Sequence, residues 1–129
     1  MIGRVMGSGL LLAAVSLGGG IGCAARLVVR DTLTACGVSS ALAILGVNLA
    51  GAAAAGAVVG WAADPESGLR IVALASLSGW TTYSAFATDA VAALRAGRRG
   101  RAFVLWTGTI VATPAIALIA ARVVGGGAS

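Results

Sequence analysis

Between Ile71 and Thr88 the chain carries no charged side chain, and three other runs are comparably apolar: Val5 to Ala25, the uncharged stretch from Thr32 to Ala63, and Ala102 to Ala121. About 20 apolar residues, rising about 1.5 Å each as a helix, cross the roughly 30 Å of hydrocarbon in a bilayer. A chain of 129 residues divided in this way has little polar sequence left for a soluble shell. Its hydrophobic share of 59%, charged share of 10% and mean hydropathy of +1.01 agree. They exceed what a soluble domain of this size needs. The expected fold class is therefore an all-α integral membrane protein, multi-pass in the cell membrane. It forms a single domain over 1–129, with four transmembrane helices at about 5–28, 40–62, 69–94 and 102–123. The uncharged second run is longer than a span needs, so its helix is expected to begin near Ser40. So small a unit cannot enclose a hydrated pore alone, which implies at least a dimer in the lipid bilayer.

The third run is not uniform. Leu77-Ser78-Gly79-Trp80-Thr81-Thr82-Tyr83-Ser84-Ala85-Phe86 places a glycine, four Ser or Thr residues and three aromatics in its middle. Backbone groups freed by a break in hydrocarbon must be satisfied again, so broken helix persists only where protein or a watery cavity surrounds it. A break here would expose carbonyls suited to a cation, and aromatic ring edges carry partial positive charge that can face an anion. The plainer alternative is a helix in which Ser and Thr bond back to their own turn and Gly serves close packing.

Charge excludes several function classes. The net charge of +5 comes from nine Arg, with no Lys and no His, and these Arg flank the apolar runs as membrane anchors do. No soluble basic surface remains for nucleic acid. Four acidic residues, Asp31, Asp64, Glu66 and Asp89, leave almost nothing for acid–base catalysis, and no base is offered to activate a nucleophile, so no enzyme is expected. Asp89 is expected at headgroup level, paired with an Arg. Cys23 and Cys36 are read as small packing residues, since two cysteines in apolar sequence make neither a disulfide framework nor a metal cluster.

Along the chain, the first run ends in Gly18-Gly19-Gly20-Ile21-Gly22-Cys23-Ala24-Ala25-Arg26. A cleaved signal would not explain that string. Its glycines allow close approach of another backbone, and Arg26 can hold helix ends or draw anions toward a vestibule. A short loop is expected at Arg30-Asp31. Asn48, in Gly46-Val47-Asn48-Leu49-Ala50-Gly51, is the only side-chain amide in the protein, and in hydrocarbon it needs partners, either as interhelical glue or facing an ion. Gly51, Gly56 and Gly60 supply a close-packing face, Trp61 an interface anchor, and Asp64-Pro65-Glu66-Ser67-Gly68 a turn. Thr109 and Thr113, four apart, share a helical face, and Pro114 should bend the fourth helix.

Three of these strings, in this order, resemble the motifs of the CrcB/Fluc family of small bacterial fluoride channels. The first run is similar to GGGxGxxxR with every marked position filled. Val47-Asn48 with Gly51 resembles the family's VN-x-x-G, and the third run resembles GG-x-TTFSTF. Ser78 stands where the first Gly is usual, Tyr83 where the first Phe is usual and Ala85 where the later Thr is usual, while Leu105 holds the place of a family Tyr. The resemblance implies two copies inserted antiparallel, in dual topology, with the third helices broken mid-membrane and crossing at the centre. The backbone carbonyls of Ser78 and Thr81 from each copy would surround a structural Na⁺. An anion pathway would run past Asn48, Thr82, Tyr83, Ser84, Phe86, Thr109 and Thr113. Such a channel would let fluoride leave passively and so lower its cytoplasmic level.

Two other readings stay open. A proton-coupled small multidrug exporter also has four short spans, but would need a membrane-embedded carboxylate, typically in its first span, where this chain has none. A non-conducting subunit would tolerate the departures at Ser78, Tyr83 and Ala85. Six Arg on the side of the first and third loops, against three on the other, make a modest bias. That permits insertion both ways, so a homodimer is favoured over a heterodimer with an oppositely oriented paralogue.

Overall fold

The computed structural model describes residues 2–61 and 67–126, with side chains from Gly7 onward. It is all-helical over these residues. Helix α1 spans Ile2–Ala35, α2 Ser40–Trp61, α3 Gly68–Trp80, α4 Tyr83–Arg95, α5 Arg99–Thr107 and α6 Thr113–Gly126, with a π-helical turn at Gly108–Ala112 joining the last two. By length and composition, three continuous helical stretches could cross a membrane: Gly7–Ala35, Ser40–Trp61 and Arg99–Gly126. The third apolar run is two half-helices, each too short to cross a bilayer.

The ends of the elements follow from local chemistry. Ser67 caps α3, its hydroxyl accepting from the Arg70 N–H, and so satisfies one of the four donors a helix start leaves free. The rest of the turn expected at Asp64-Pro65-Glu66 lies outside the described residues. Gly37 and Gly97 carry positive φ, 88° and 70°, and end α1 and α4. In each case the following N–H reaches back five residues, Val38 to the Leu33 carbonyl and Arg98 to that of Ala93, the closure that a glycine in the left-handed region permits.

The expected loop at Arg30-Asp31 is helix instead. No Gly or Pro interrupts residues 23–36, the Thr32 and Thr34 hydroxyls return to the Val28 and Arg30 carbonyls at 2.8 Å each, and Arg30 pairs with Asp31 along the helix surface. Over its 34 residues α1 is therefore about 50 Å long, more than hydrocarbon alone accommodates. Cys36 is exposed in the turn that follows, so it is not a packing residue, whereas Cys23 is half-buried.

α2 lies at the centre, packed along α6 and touching α1, α3 and α4, while α1 packs along α3. Glycine allows these approaches. A Cβ on Gly56 would strike the Ala117 carbonyl, and one on Gly60 the Ala121 carbonyl, so α2 and α6 meet backbone to backbone. Of the expected close-packing face, Gly56 and Gly60 share the α6 contact, whereas Gly51 points to the other side of α2, against Trp80 and Thr81, because five residues turn a helix well past one full turn. Likewise Gly22 lies against the Ser76 carbonyl and Gly79 against that of Gly19, joining α1 to α3. Without hydrophobic drive between helices in lipid, such close van der Waals contact is what holds a bundle. Ala41, Phe86, Ala90 and Leu105 form a small core where α2, α4 and α5 meet.

Replacing Gly56 by Ala should force α2 and α6 apart, at about 1–3 kcal/mol. Gly100, with open space around its Cβ position, should accept Ala without loss. Thermal unfolding of the two variants in detergent checks this. A clear drop is expected for Gly56→Ala alone, and equal midpoints would contradict the packing.

Candidate functional site: the break between α3 and α4

The helical path stops at Thr81 and Thr82, both with extended backbone (φ −82°, ψ 152° and φ −146°, ψ 126°). If the helix continued, the Thr82 N–H would bond the Ser78 carbonyl. Instead it donates to Asn48 Oδ1 at 2.9 Å, and Asn48 Nδ2 donates to the Thr82 carbonyl at 3.0 Å. A side-chain amide carries both acceptor and donor, so one residue satisfies both polar groups of one broken peptide position. Asn48 itself is 3% exposed. Unpaired, each group would cost about 1–3 kcal/mol.

A second tie holds the other side of the break. Trp80 Nε1 donates to the Val47 carbonyl at 2.9 Å, one residue before Asn48. Gly51, one turn further along α2, makes room for it: a Cβ there would come within 2.7 Å of Trp80 Cδ1 and 2.8 Å of Thr81 Cγ2. Trp80 was not singled out from the sequence. The available signal was that a buried indole needs an acceptor for its N–H.

The Ser78 carbonyl, deprived of its helical partner, receives the Thr81 hydroxyl at 3.3 Å, while the Ser78 hydroxyl turns back to the Ala75 carbonyl at 2.7 Å. The carboxyl end of α3 thus directs carbonyl oxygens into the break, and the amino end of α4 directs N–H groups into it.

Beside the break lies a cavity of about 400 Å³ that brings together Asn48, Ser78, Thr81, Thr82, Tyr83, Thr109 and Thr113, with Gly51, Leu74 and Leu77 among its apolar walls. All its polar side chains are neutral. Thr109 Oγ1 is buried with no partner among the described residues. Thr113 Oγ1 donates to the Gly108 carbonyl at 3.2 Å, and its N–H bonds the same oxygen. This wide turn is how α6 accommodates Pro114, which cannot donate to the preceding turn. It also sets Thr109 and Thr113 on the cavity wall.

Other expected site residues lie apart. Phe86 is 3% exposed, in the core with Ala41, Ala90 and Leu105, and does not line the cavity. It meets Tyr83 edge to face, with ring centroids 5.4 Å apart and planes at 62°, while Tyr83 is 64% exposed. Ser84 is exposed, its Oγ 3.4 Å from Thr82 Oγ1. Arg26 lies half-buried along α1, its Nη2 donating to Cys23 Sγ at 3.1 Å and its buried Nε without a partner among the described residues. Asp89 is not paired with an Arg as expected. Its Oδ2 is buried without a hydrogen-bond partner, and Arg30–Asp31 is the ion pair found among the described residues.

Residues 13–125 match the profile of the family described as CrcB-like protein, Camphor Resistance (CrcB). A relative from Ruegeria sp. (strain TM1040), named as fluoride-specific ion channel FluC, is 37% identical over 117 residues, which cover 84% of this chain and 91% of the relative. No solved structure matches the chain. With the broken third run pinned by the amide of the second and a family profile that spans nearly the whole sequence, the chain belongs to the CrcB family.

Proposed function

We propose that the protein is a fluoride-selective channel of the cell membrane that lets fluoride leave passively and so lowers its cytoplasmic level. The observation that carries this reading is a cavity of neutral hydrogen-bond donors opening on a helix break, in a chain 37% identical to a fluoride-specific channel. Fluoride is small and holds its water strongly. A fixed cation would trap it, whereas a series of weak donors replaces water without retaining the ion. Asn48 spends one amide hydrogen on the Thr82 carbonyl and has a second to offer. The Thr109 hydroxyl is unspent. Thr82 adds its hydroxyl on the cavity wall with Ser84 beside it, while the Thr113 hydroxyl, spent on the Gly108 carbonyl, turns its oxygen to the wall. The Tyr83 ring offers its edge, held by Phe86, which stays in the core and acts on the path through that contact. Arg26 sits at the approach and acts structurally.

In this reading α1, α2, the α3–α4 pair and the α5–α6 stretch are four spans, and two copies pair antiparallel as a homodimer. The carbonyls of Ser78 and Thr81 suit Na⁺, which takes oxygen ligands. The Ser78 oxygen has lost its helical N–H, which supports this fit. One chain supplies two of four ligands, so the ion ties the copies together and is structural rather than transported.

Purified protein in liposomes should release loaded fluoride with no other component present. No release would contradict the channel reading and favour a non-conducting subunit. Thr109→Val removes an unpartnered buried hydroxyl while keeping its shape, so stability should hold or rise. Efflux, read with a fluoride electrode, should fall about tenfold, the equivalent of one hydrogen bond of ~1.4 kcal/mol in the barrier. Unchanged efflux would remove Thr109 from the path.

Replacing Na⁺ with a bulky organic cation should shift the protein from dimer toward monomer, measured by light scattering in detergent. A dimer equally stable in both salts would contradict the central ion.

A further inference from the structure

Away from the break, α4 and α5 enclose a second groove, of about 370 Å³, lined by Ala90, Leu94, Arg99, Ala102, Phe103 and Trp106. Ala90 and Ala102, 7% and 4% exposed, form its floor. Leu94, Phe103 and Trp106 form its walls and are 55%, 68% and 54% exposed. Arg99, Phe103 and Trp106 follow one face of α5 at spacings of four and three. The groove therefore runs about 10 Å along the helix from a cationic mouth to an indole.

Arg99, the cation of the mouth, stands in a strongly basic stretch of sequence. Arg95, Arg98, Arg99 and Arg101 fall within seven residues, and no acidic residue follows Asp89 in the sequence. Arg30–Asp31 on α1 is the ion pair found among the described residues, so none of these four guanidiniums is neutralised by a carboxylate there. A guanidinium binds phosphate oxygens in a two-pronged geometry. Basic mouths between membrane helices with apolar depth below them suit anionic lipid headgroups and their chains.

We infer that the α4–α5 groove is a binding site for an anionic phospholipid, its phosphate on Arg99 and the upper part of one acyl chain lying over Ala90 and Ala102 between Phe103 and Trp106. Charge and shape complementarity define this site, which does not depend on fluoride conduction. An electrically neutral chain would fill the groove equally well, but the mouth selects for negative charge. Bound there, the lipid would screen repulsion among the four Arg and so favour the turn at Ala96–Gly97.

The test uses the whole protein in mixed micelles with equimolar phosphatidylglycerol and phosphatidylcholine, with retained lipid counted by native mass spectrometry. Wild type should retain phosphatidylglycerol preferentially, and Arg99→Gln should lower that preference about fivefold, as expected for one Arg near an anionic surface. Arg122→Gln, near the far end of α6, should leave it unchanged. Equal retention of the two lipids by wild type, an unchanged preference in Arg99→Gln, or an equal loss in Arg122→Gln would overturn the proposal. So would displacement of the lipid by glycerol phosphate at equal concentration, which would mean that only the anion is recognised. Cross-linking of Phe103→Cys between copies, in a background lacking Cys23 and Cys36, would also overturn it by showing that a second chain covers the groove.

Discussion

The reciprocal hydrogen bonding of Asn48 with the backbone of Thr82 is the interaction on which the arrangement depends. In a low-dielectric surrounding, an intact helix is the default because it satisfies each N–H and carbonyl internally. A break survives only if something else satisfies the peptide groups it frees. Asn48 does so with one side chain, and it is the only side-chain amide in the protein. With it in place, the Thr82 N–H is diverted from the Ser78 carbonyl, α3 ends, and α4 starts at Tyr83 after two extended residues.

Packing makes that interaction reachable. Gly51 lets the Trp80 ring and the Thr81 methyl approach α2, and the indole then fixes the amino-terminal side of the break on the Val47 carbonyl. Gly22 and Gly79 seat α3 against α1, while Gly56 and Gly60 seat α6 against α2. α2 is thus held by backbone contact with α6 on one side and by the Trp80 and Thr81 side chains on the other, which leaves its middle turn as a fixed platform for the break. The π-helical turn before Thr113 adds the remaining wall, since the proline at 114 forces a wider turn that brings Thr109 and Thr113 to the cavity.

Much of this was legible in the sequence. An apolar run interrupted by hydroxyls and glycine announces a break, a solitary Asn in hydrocarbon announces a partner, and spaced glycines announce close helix contact. What sequence could not supply was pairing. Nothing in the spacing says that Asn48 serves Thr82, or that Trp80 serves Val47, because both bonds join residues more than thirty apart in the chain. Arg30-Asp31 looked like a loop because charges usually end apolar runs, yet the absence of Gly or Pro from residues 23–36 lets α1 continue, and the two charges pair on its surface. Phe86 and Tyr83 looked equivalent on one face, but the core of α2, α4 and α5 buries the first and leaves the second exposed. Asp89, expected to pair with an Arg, keeps a buried oxygen without a partner, a placement that periodicity alone does not reveal.

If the amide of Asn48 maintains the break, its effect is measurable at the peptide it protects. Hydrogen–deuterium exchange of the segment around Thr82, compared between wild type and Asn48→Ala in the same detergent, reports that protection directly. The account predicts slow exchange at the Thr82 N–H in wild type and exchange faster by about tenfold or more in the variant, the equivalent of a hydrogen bond of ~1.4 kcal/mol. Equal exchange in the two proteins would contradict it, because the break would then be held by something other than Asn48.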